Sequence, residues 1–339
     1  VGEDAEDAAV SGWTIFGQAL LVLVGGGVVG LVYRGLDRKI AARMQARIGP
    51  PIRQPFLDVG KLLVKETVIP RTAVSWLFAA APFLAVLASF TALLYLPLGP
   101  FPPVLEGHGD AILVLYLLAV PALAMALGGF ASGSPLGVVG AQRELVMLMS
   151  YEFPLAVVLV AIAWRLSVRG FAPAFSLGTL AAHPLWTSVG PLGVIGLAVL
   201  FLVLLVVTPA ELAKIPFDIP EAETEIAGGL MVEYSGTYLA LFYLADAVRT
   251  VVMAGLVVAL FIPHGIAAAV GLSGAAASAL DFLFWLFKVF LVMVAAVTTV
   301  RVGMARLKVD QIARGFWLWG TAVALGGLLL LVLDKVVRG

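Results

Sequence analysis

The chain has 339 residues, of which 62% are hydrophobic and 12% charged, with a mean hydropathy of +1.07 and a formal net charge of zero. A soluble domain of this length needs far more polar surface to cover its core. With no cysteine and three scattered histidines, His108, His183 and His264, the chain lacks thiolates for an iron–sulfur cluster or a cysteine-bound nickel–iron centre, and no metal site is expected in it.

Eight apolar runs are long enough to cross a bilayer: about 13–33, 76–97, 111–130, 143–164, 189–210, 235–262, 279–301 and 315–334. None alternates with period two, so the expected fold is all-α, a polytopic bundle forming a single integral membrane domain over 1–339. The start, VGEDAEDAAV, has no basic segment ahead of an apolar one and does not read as a cleaved signal peptide.

Basic residues set the orientation. The loops after the odd-numbered spans hold Arg34, Arg38, Lys39, Arg43, Arg47, Arg53, Lys61, Lys65, Arg71, Arg143, Lys214, Arg301, Arg306, Lys308 and Arg314, which is 15 of the 21. The opposite loops and terminus hold Arg165, Arg169, Lys335 and Arg338, and Arg249 and Lys288 fall inside spans. This split places the basic loops in the cytoplasm and both termini outside.

The first basic loop, about 34–75, is broken by GPP and QP. Ile40, Met44 and Ile48 recur every four residues before the break. After it, Phe56, Leu57, Gly60, Leu63 and Val64 oppose Asp58, Lys61 and Lys65. Both pieces fit amphipathic helices along the interface; an ordinary positive-inside loop is the plainer alternative.

The loop at about 211–234 carries six acids, Glu211, Asp218, Glu221, Glu223, Glu225 and Glu233, against Lys214 alone. Acids contribute little to topology, so insertion does not explain them. Pro216 and Pro220 break any continuous helix, and a short helix after Pro220 would align Glu221 with Glu225. A solvated acidic loop would not need the apolar Ile215, Phe217, Ile219 and Ile226.

Charges at bilayer depth cost at least about 2.5–3.5 kcal/mol each and point to function. The fourth span carries Glu144 and Glu152, offset by about 80° and about 12 Å of rise, which suits one side of a polar path. In the sixth, Asp246 and Arg249 are spaced for a direct ion pair, which would be a structural role. In the seventh, Lys288 needs an acid from elsewhere for the same role. Burial favours the neutral form of a carboxyl group, so a row of such groups can pass protons.

Four stretches together resemble a known family. They are DRKIAARMQARIGP with QPFLDVGKLLVKE, GFASGSPLGVVGAQRELVMLMSYEFP, PFDIPEAETEIAGGLMVEYSGTYLALFYLAD, and VRVGMARLKVDQIARGFW. The chain resembles the membrane subunit that forms the heel of respiratory complex I. It resembles more closely the homologous membrane subunit of energy-converting membrane-bound [NiFe] hydrogenases and related complexes. Only Pro51, Ile52 and Arg53 separate GP from QP, and Ala213-Lys214-Ile215 precedes PFD where the complex I type carries an Asn-Arg pair; both departures look like the hydrogenase branch.

The resemblance implies a non-catalytic subunit of an oxidoreductase complex in the cytoplasmic membrane of a prokaryote. The redox module would dock on Arg43, Arg47, Arg53, Asp58, Lys61, Lys65 and Glu66. Protons would pass along Glu211, Asp218, Glu221, Glu223, Glu225, Glu233, Glu144, Glu152 and Asp246. The implied partners are hydrophilic iron–sulfur and catalytic subunits, antiporter-like and other small membrane subunits, and the lipid bilayer, not nucleic acid. The chain would bind no cofactor itself; iron–sulfur clusters, and nickel–iron or quinone, would belong to the partners. A quinone-binding subunit of NADH:quinone oxidoreductase is the alternative. A stand-alone secondary transporter is disfavoured, because the chain has no internal repeat and its long first loop would serve no purpose there.

Overall fold

The apolar runs fold as eight long helices: Trp13–Met44, Ser75–Leu94, Asp110–Ala131, Pro135–Val168, Pro191–Glu211, Gly236–Phe261, Ala275–Gly303 and Val309–Val337. A computed structural model describes residues 2–338, with side chains from residue 13 to residue 337. All eight expected spans are present, and the described residues form no β-strand.

The sixth span is the central post. In its most apolar window 83% of residues are buried, against 17% in the first span, which therefore sits at the periphery facing lipid. The second span packs on the third and sixth, the third on the fourth, the fifth on the eighth, and the first on the sixth. Bilayers supply no hydrophobic drive for helices to associate, so small residues that let backbones approach carry these contacts. A Cβ at Gly30 of the first span would stand 2.5 Å from the carbonyl oxygen of Ala247 in the sixth. Gly196 and Gly327 make the same close approach between the fifth and eighth. Gly30→Val is therefore expected to wedge the first span off the post at a cost of about 1–3 kcal/mol, read as a lower unfolding midpoint of the purified protein in detergent; an unchanged midpoint contradicts this packing.

The first loop departs from the expected pair of interfacial helices. Its first piece continues the first span without a break to Met44, so 34–44 is not a separate element. Residues 13–44 give about 48 Å of helix against a hydrocarbon core of about 30 Å, so the end projects beyond the bilayer. No proline interrupts the helix before Gly49, with φ +73°, Pro50 and Pro51. The second piece is a separate helix, Gln54–Val64, with Leu57, Leu63 and Val64 exposed.

The acidic loop also departs from expectation. A 3₁₀ turn, Ile219–Glu221, is separated from a single α-turn, Glu223–Ile226, by extended Ala222 (φ −63°, ψ 99°). Glu221 and Glu225 therefore do not share a face. Glu221 turns into a cavity, whereas Glu225 is exposed and accepts from Arg143 at 2.6 Å.

The charged loops converge at one end of the bundle and bond to one another. The Val68 backbone N–H donates to Ser235 Oγ (2.9 Å), and Thr237 N–H donates to Thr67 Oγ1 (3.2 Å). Gly236, with φ +55°, lies against the carbonyls of Lys65 and Glu66 and leaves no room for a Cβ, which explains the glycine in EYSG. At the other end, Arg165 donates to Asp334 at 3.0 Å; both side chains are buried, and Asp334 also accepts from Gly190 N–H.

Candidate functional site: a charged path into the bundle

Three polar cavities follow one another from the charged end inwards, and neighbouring cavities share wall residues. The outermost, about 310 Å³, is lined by Arg38, Ala42, Arg47, Gly49, Pro50 and Arg301. Arg38 and Arg301 also line the second, about 200 Å³, with Arg34, Asp37, Lys214 and Asp246. Arg34, Lys214 and Asp246 in turn wall the third, about 40 Å³, which reaches Glu221 and Arg249. Each exceeds the roughly 10–15 Å³ that one water needs.

Local chain geometry puts the charges there. Span five ends where Ala213 adopts a left-handed conformation (φ +47°) and Lys214 N–H bonds back to the Pro209 carbonyl. That turn delivers Lys214 to Asp246, whose two oxygens both accept from Nζ at 2.8 Å. Arg34, 3.4 Å from Asp246, also donates to the Tyr243 carbonyl and lies over the Tyr243 ring. Asp37 accepts from Thr298 and Arg301, each at 2.7 Å. Thr298 ends a π-helical turn, Val294–Thr298, inside span seven; such turns re-aim side chains and recur at functional sites.

The innermost group lies on spans four, five and six. Arg249 is 3.3 Å from Glu211, with side chains 3% and 2% exposed. Glu144 is fully buried, and neither of its carboxyl oxygens has a hydrogen-bond partner among the described residues. Tyr151, two turns along the same helix, is also fully buried, and its hydroxyl stops short of a full hydrogen bond.

Several expected pairings are replaced. Asp246 pairs with Arg34 and Lys214 rather than Arg249, and Arg249 pairs with Glu211. Lys288 meets no acid at bonding distance among the described residues; it donates to the carbonyls of Ile262 and His264, capping the end of span six. Glu152 is half-buried on the flank of span four, while its neighbour Tyr151 points inwards. Tyr151, Arg34 and Lys214 were absent from the expected path. Only Tyr151 carried a signal, its seven-residue spacing from Glu144.

The remaining expected residues lie at the rim. Asp218 is held by a bidentate pair with Arg306 (2.8 and 2.6 Å), which also donates to Thr224. Glu223 is exposed and Glu233 half-exposed. Asp58 accepts from Arg38 and Gln54, each at 2.8 Å, and Arg47 donates to Gln45 at the outer cavity. Arg43, Arg53, Lys61, Lys65 and Glu66 are exposed. Among the described residues no cluster of three or more His, Asp or Glu could hold a metal ion.

Glu221, on the wall of the third cavity, gives the site a pH dependence. Burial raises its carboxyl above the ordinary 4.5; Lys214 and Arg34 oppose the rise, and Asp246 and Asp218 add to it. A raised folded-state value favours the neutral acid. Its contribution to stability is complete below the unfolded value and is lost as pH rises through the folded one. Glu221→Gln is therefore expected to gain stability relative to the parent as pH rises from 4.5. Thermal unfolding across about pH 4 to 8 reads this, and curves that stay parallel contradict it.

The likeness to known proteins runs over nearly the whole chain. Residues 17–332 match the NADH dehydrogenase family. The H subunit of the NADH-quinone oxidoreductase of Brevibacillus brevis is 32% identical over 332 residues, covering 94% of this chain and 92% of that protein. A chain in the structure of the membrane-bound sulfane sulfur reductase, an archaeal respiratory membrane complex, superposes with a TM-score of 0.79 at 28% identity, covering 94% of this chain and 99% of that one. A multi-pass membrane protein with this match over nearly its full length belongs to the NADH dehydrogenase family.

Proposed function

We propose that this chain is the membrane-anchor and coupling subunit of a redox-driven ion-pumping complex of the complex I and membrane-bound hydrogenase type. The observation that carries the reading is the run of wall-sharing charged cavities from Arg47 to Arg249, continued by the buried Glu211, Tyr151 and Glu144. Buried charge is costly, and structural pairing alone leaves Glu144 without a partner among the described residues.

The rim would be the docking floor. Exposed Arg43, Arg53, Lys61, Lys65 and Glu66 suit a hydrophilic iron–sulfur and catalytic module, and the 15-to-4 basic split supports a cytoplasmic side for that module. A charge change at its terminal centre would act on the acidic loop, which is pinned by Arg306–Asp218 and Arg143–Glu225. Moving that loop shifts Lys214 and Glu221, and with them the charge balance around Asp246 and Arg249. Glu211 and Glu144 would then take up and release protons towards antiporter-like membrane subunits. Redox cofactors would stay with the partners.

The second reading, a quinone-binding subunit, is favoured by the likeness to an NADH-quinone oxidoreductase subunit. The charge on the cavity walls counts against it, because an apolar quinone tail would meet Arg34, Arg38, Lys214 and Arg301. Purifying the tagged chain in mild detergent tests the assignment. Co-purification with iron–sulfur subunits is expected; recovery of the chain alone would overturn it. Reduction of an added short-chain quinone by the purified complex would favour the second reading.

A further inference from the structure

A cavity larger than any of the three on the charged path plays no part in it. It is a groove of about 450 Å³ between spans five and eight, within the roughly 300–1,000 Å³ range of ligand sites. Leu202 and Val206 form one wall, Phe316 and Trp319 the other, and Phe217 and Leu307 belong to the loops that border it. Apart from the Trp319 indole N–H, Gln311 carries the one strong side-chain hydrogen-bonding group among the lining residues, and its oxygen already accepts from Lys308 N–H at 2.9 Å. The interior therefore offers almost nothing to a polar guest.

A local irregularity lies in the wall of the groove. Span eight passes through a π-helical turn, Gly315–Gly320, where a Cβ added at Gly315 would meet nothing within 4 Å. Leu202 is 60% exposed and Trp319 73% exposed, so the groove opens sideways towards lipid. A chain-like apolar occupant would make dispersion contacts along the whole lining.

The charged end of the groove selects the headgroup. From Met304 to Gly315 the basic residues are Arg306, Lys308 and Arg314, against the single acid Asp310. Arg306 is taken up by Asp218, while Lys308 and Arg314 are exposed beside the lining residues Gln311 and Gly315. Cations next to an apolar slot at the membrane surface suit an anionic lipid, and exposed Trp317 and Trp319 suit the same interface.

We propose that this groove binds an acyl chain of an anionic phospholipid, with the headgroup held at Lys308 and Arg314. The intact complex, reconstituted in phosphatidylcholine vesicles doped with a photoactivatable-acyl phosphatidylglycerol or phosphatidylcholine, tests it by mass spectrometry of labelled peptides. Phosphatidylglycerol is expected to label 199–207 and 311–323 several-fold more than phosphatidylcholine does. Lys308→Glu with Arg314→Glu should abolish that preference, and Val206→Trp should lower labelling by both lipids. Three outcomes overturn the proposal. The two lipids label these peptides equally in the parent protein; labelling spreads evenly over all lipid-facing helices; or a photoactivatable residue at Leu202 cross-links to another subunit instead.

Discussion

Replacing Arg249 with Met is expected to destabilise the protein by about 3–5 kcal/mol, the cost of leaving a buried charge without its partner. Glu211, 3.3 Å from the guanidinium and 2% exposed, would lose its counter-charge inside the bundle. Glu144 is on the neighbouring span and shares that counter-charge. Thermal unfolding of the purified complex reads the loss. Adding Glu211→Gln to Arg249→Met should recover much of it, because the double variant buries neither charge of the pair. A double-mutant cycle then gives the coupling energy directly. Additive effects of the two substitutions would mean that the pair is not coupled.

Asp246→Asn is expected to have the larger effect on coupling. Asp246 holds Lys214 through both oxygens and faces Arg34 at 3.4 Å, so removing its charge leaves both cations without the acid they share. The side chains of Arg34, Asp246 and Lys214 are 20%, 22% and 26% exposed, and water softens the penalty. The stability loss therefore falls at or below the lower end of the roughly 3–5 kcal/mol for a dry pair. Lys214 is the direct link from the acidic loop to the sixth span, and losing that link should uncouple the loop from the path. Ion translocation per electron is expected to fall much further than electron transfer. Adding Lys214→Met should restore stability without restoring translocation. Unchanged translocation per electron in Asp246→Asn would remove Asp246 from the path.

The spans were legible because hydropathy is local: twenty apolar residues in a row report a helix wherever they end up packing. Single residues of the proposed path were legible for a related reason. A carboxylate such as Glu144 inside an apolar run is conspicuous whatever surrounds it. Its neighbourhood was not legible. Spacing along the sixth span suggested Asp246 with Arg249, yet each takes partners from other segments, Glu211 lying 38 positions from Arg249 and Arg34 much further from Asp246. Which helix faces meet is fixed by close approaches such as Gly30 against Ala247, and these leave no periodic trace. The π-helical turns at Val294–Thr298 and Gly315–Gly320 are likewise products of packing rather than of local propensity. In the first loop, four-residue spacing of Ile40, Met44 and Ile48 indicated helix correctly only as far as Met44, since Ile48 lies beyond the helix end, and it could not tell a separate helix from an extension of the first span.

Glu144→Gln bears most directly on the account. Glutamine keeps the shape of the buried side chain and removes its ability to carry a proton, so helix packing around it should survive. The intact complex, parent and variant, would be reconstituted into sealed vesicles, with redox turnover and ion uptake followed on the same sample. The expected result is ion uptake at background in Glu144→Gln, with redox turnover continuing or slowed. Uptake per electron equal to that of the parent would contradict the proposal that this buried carboxyl group carries the coupling.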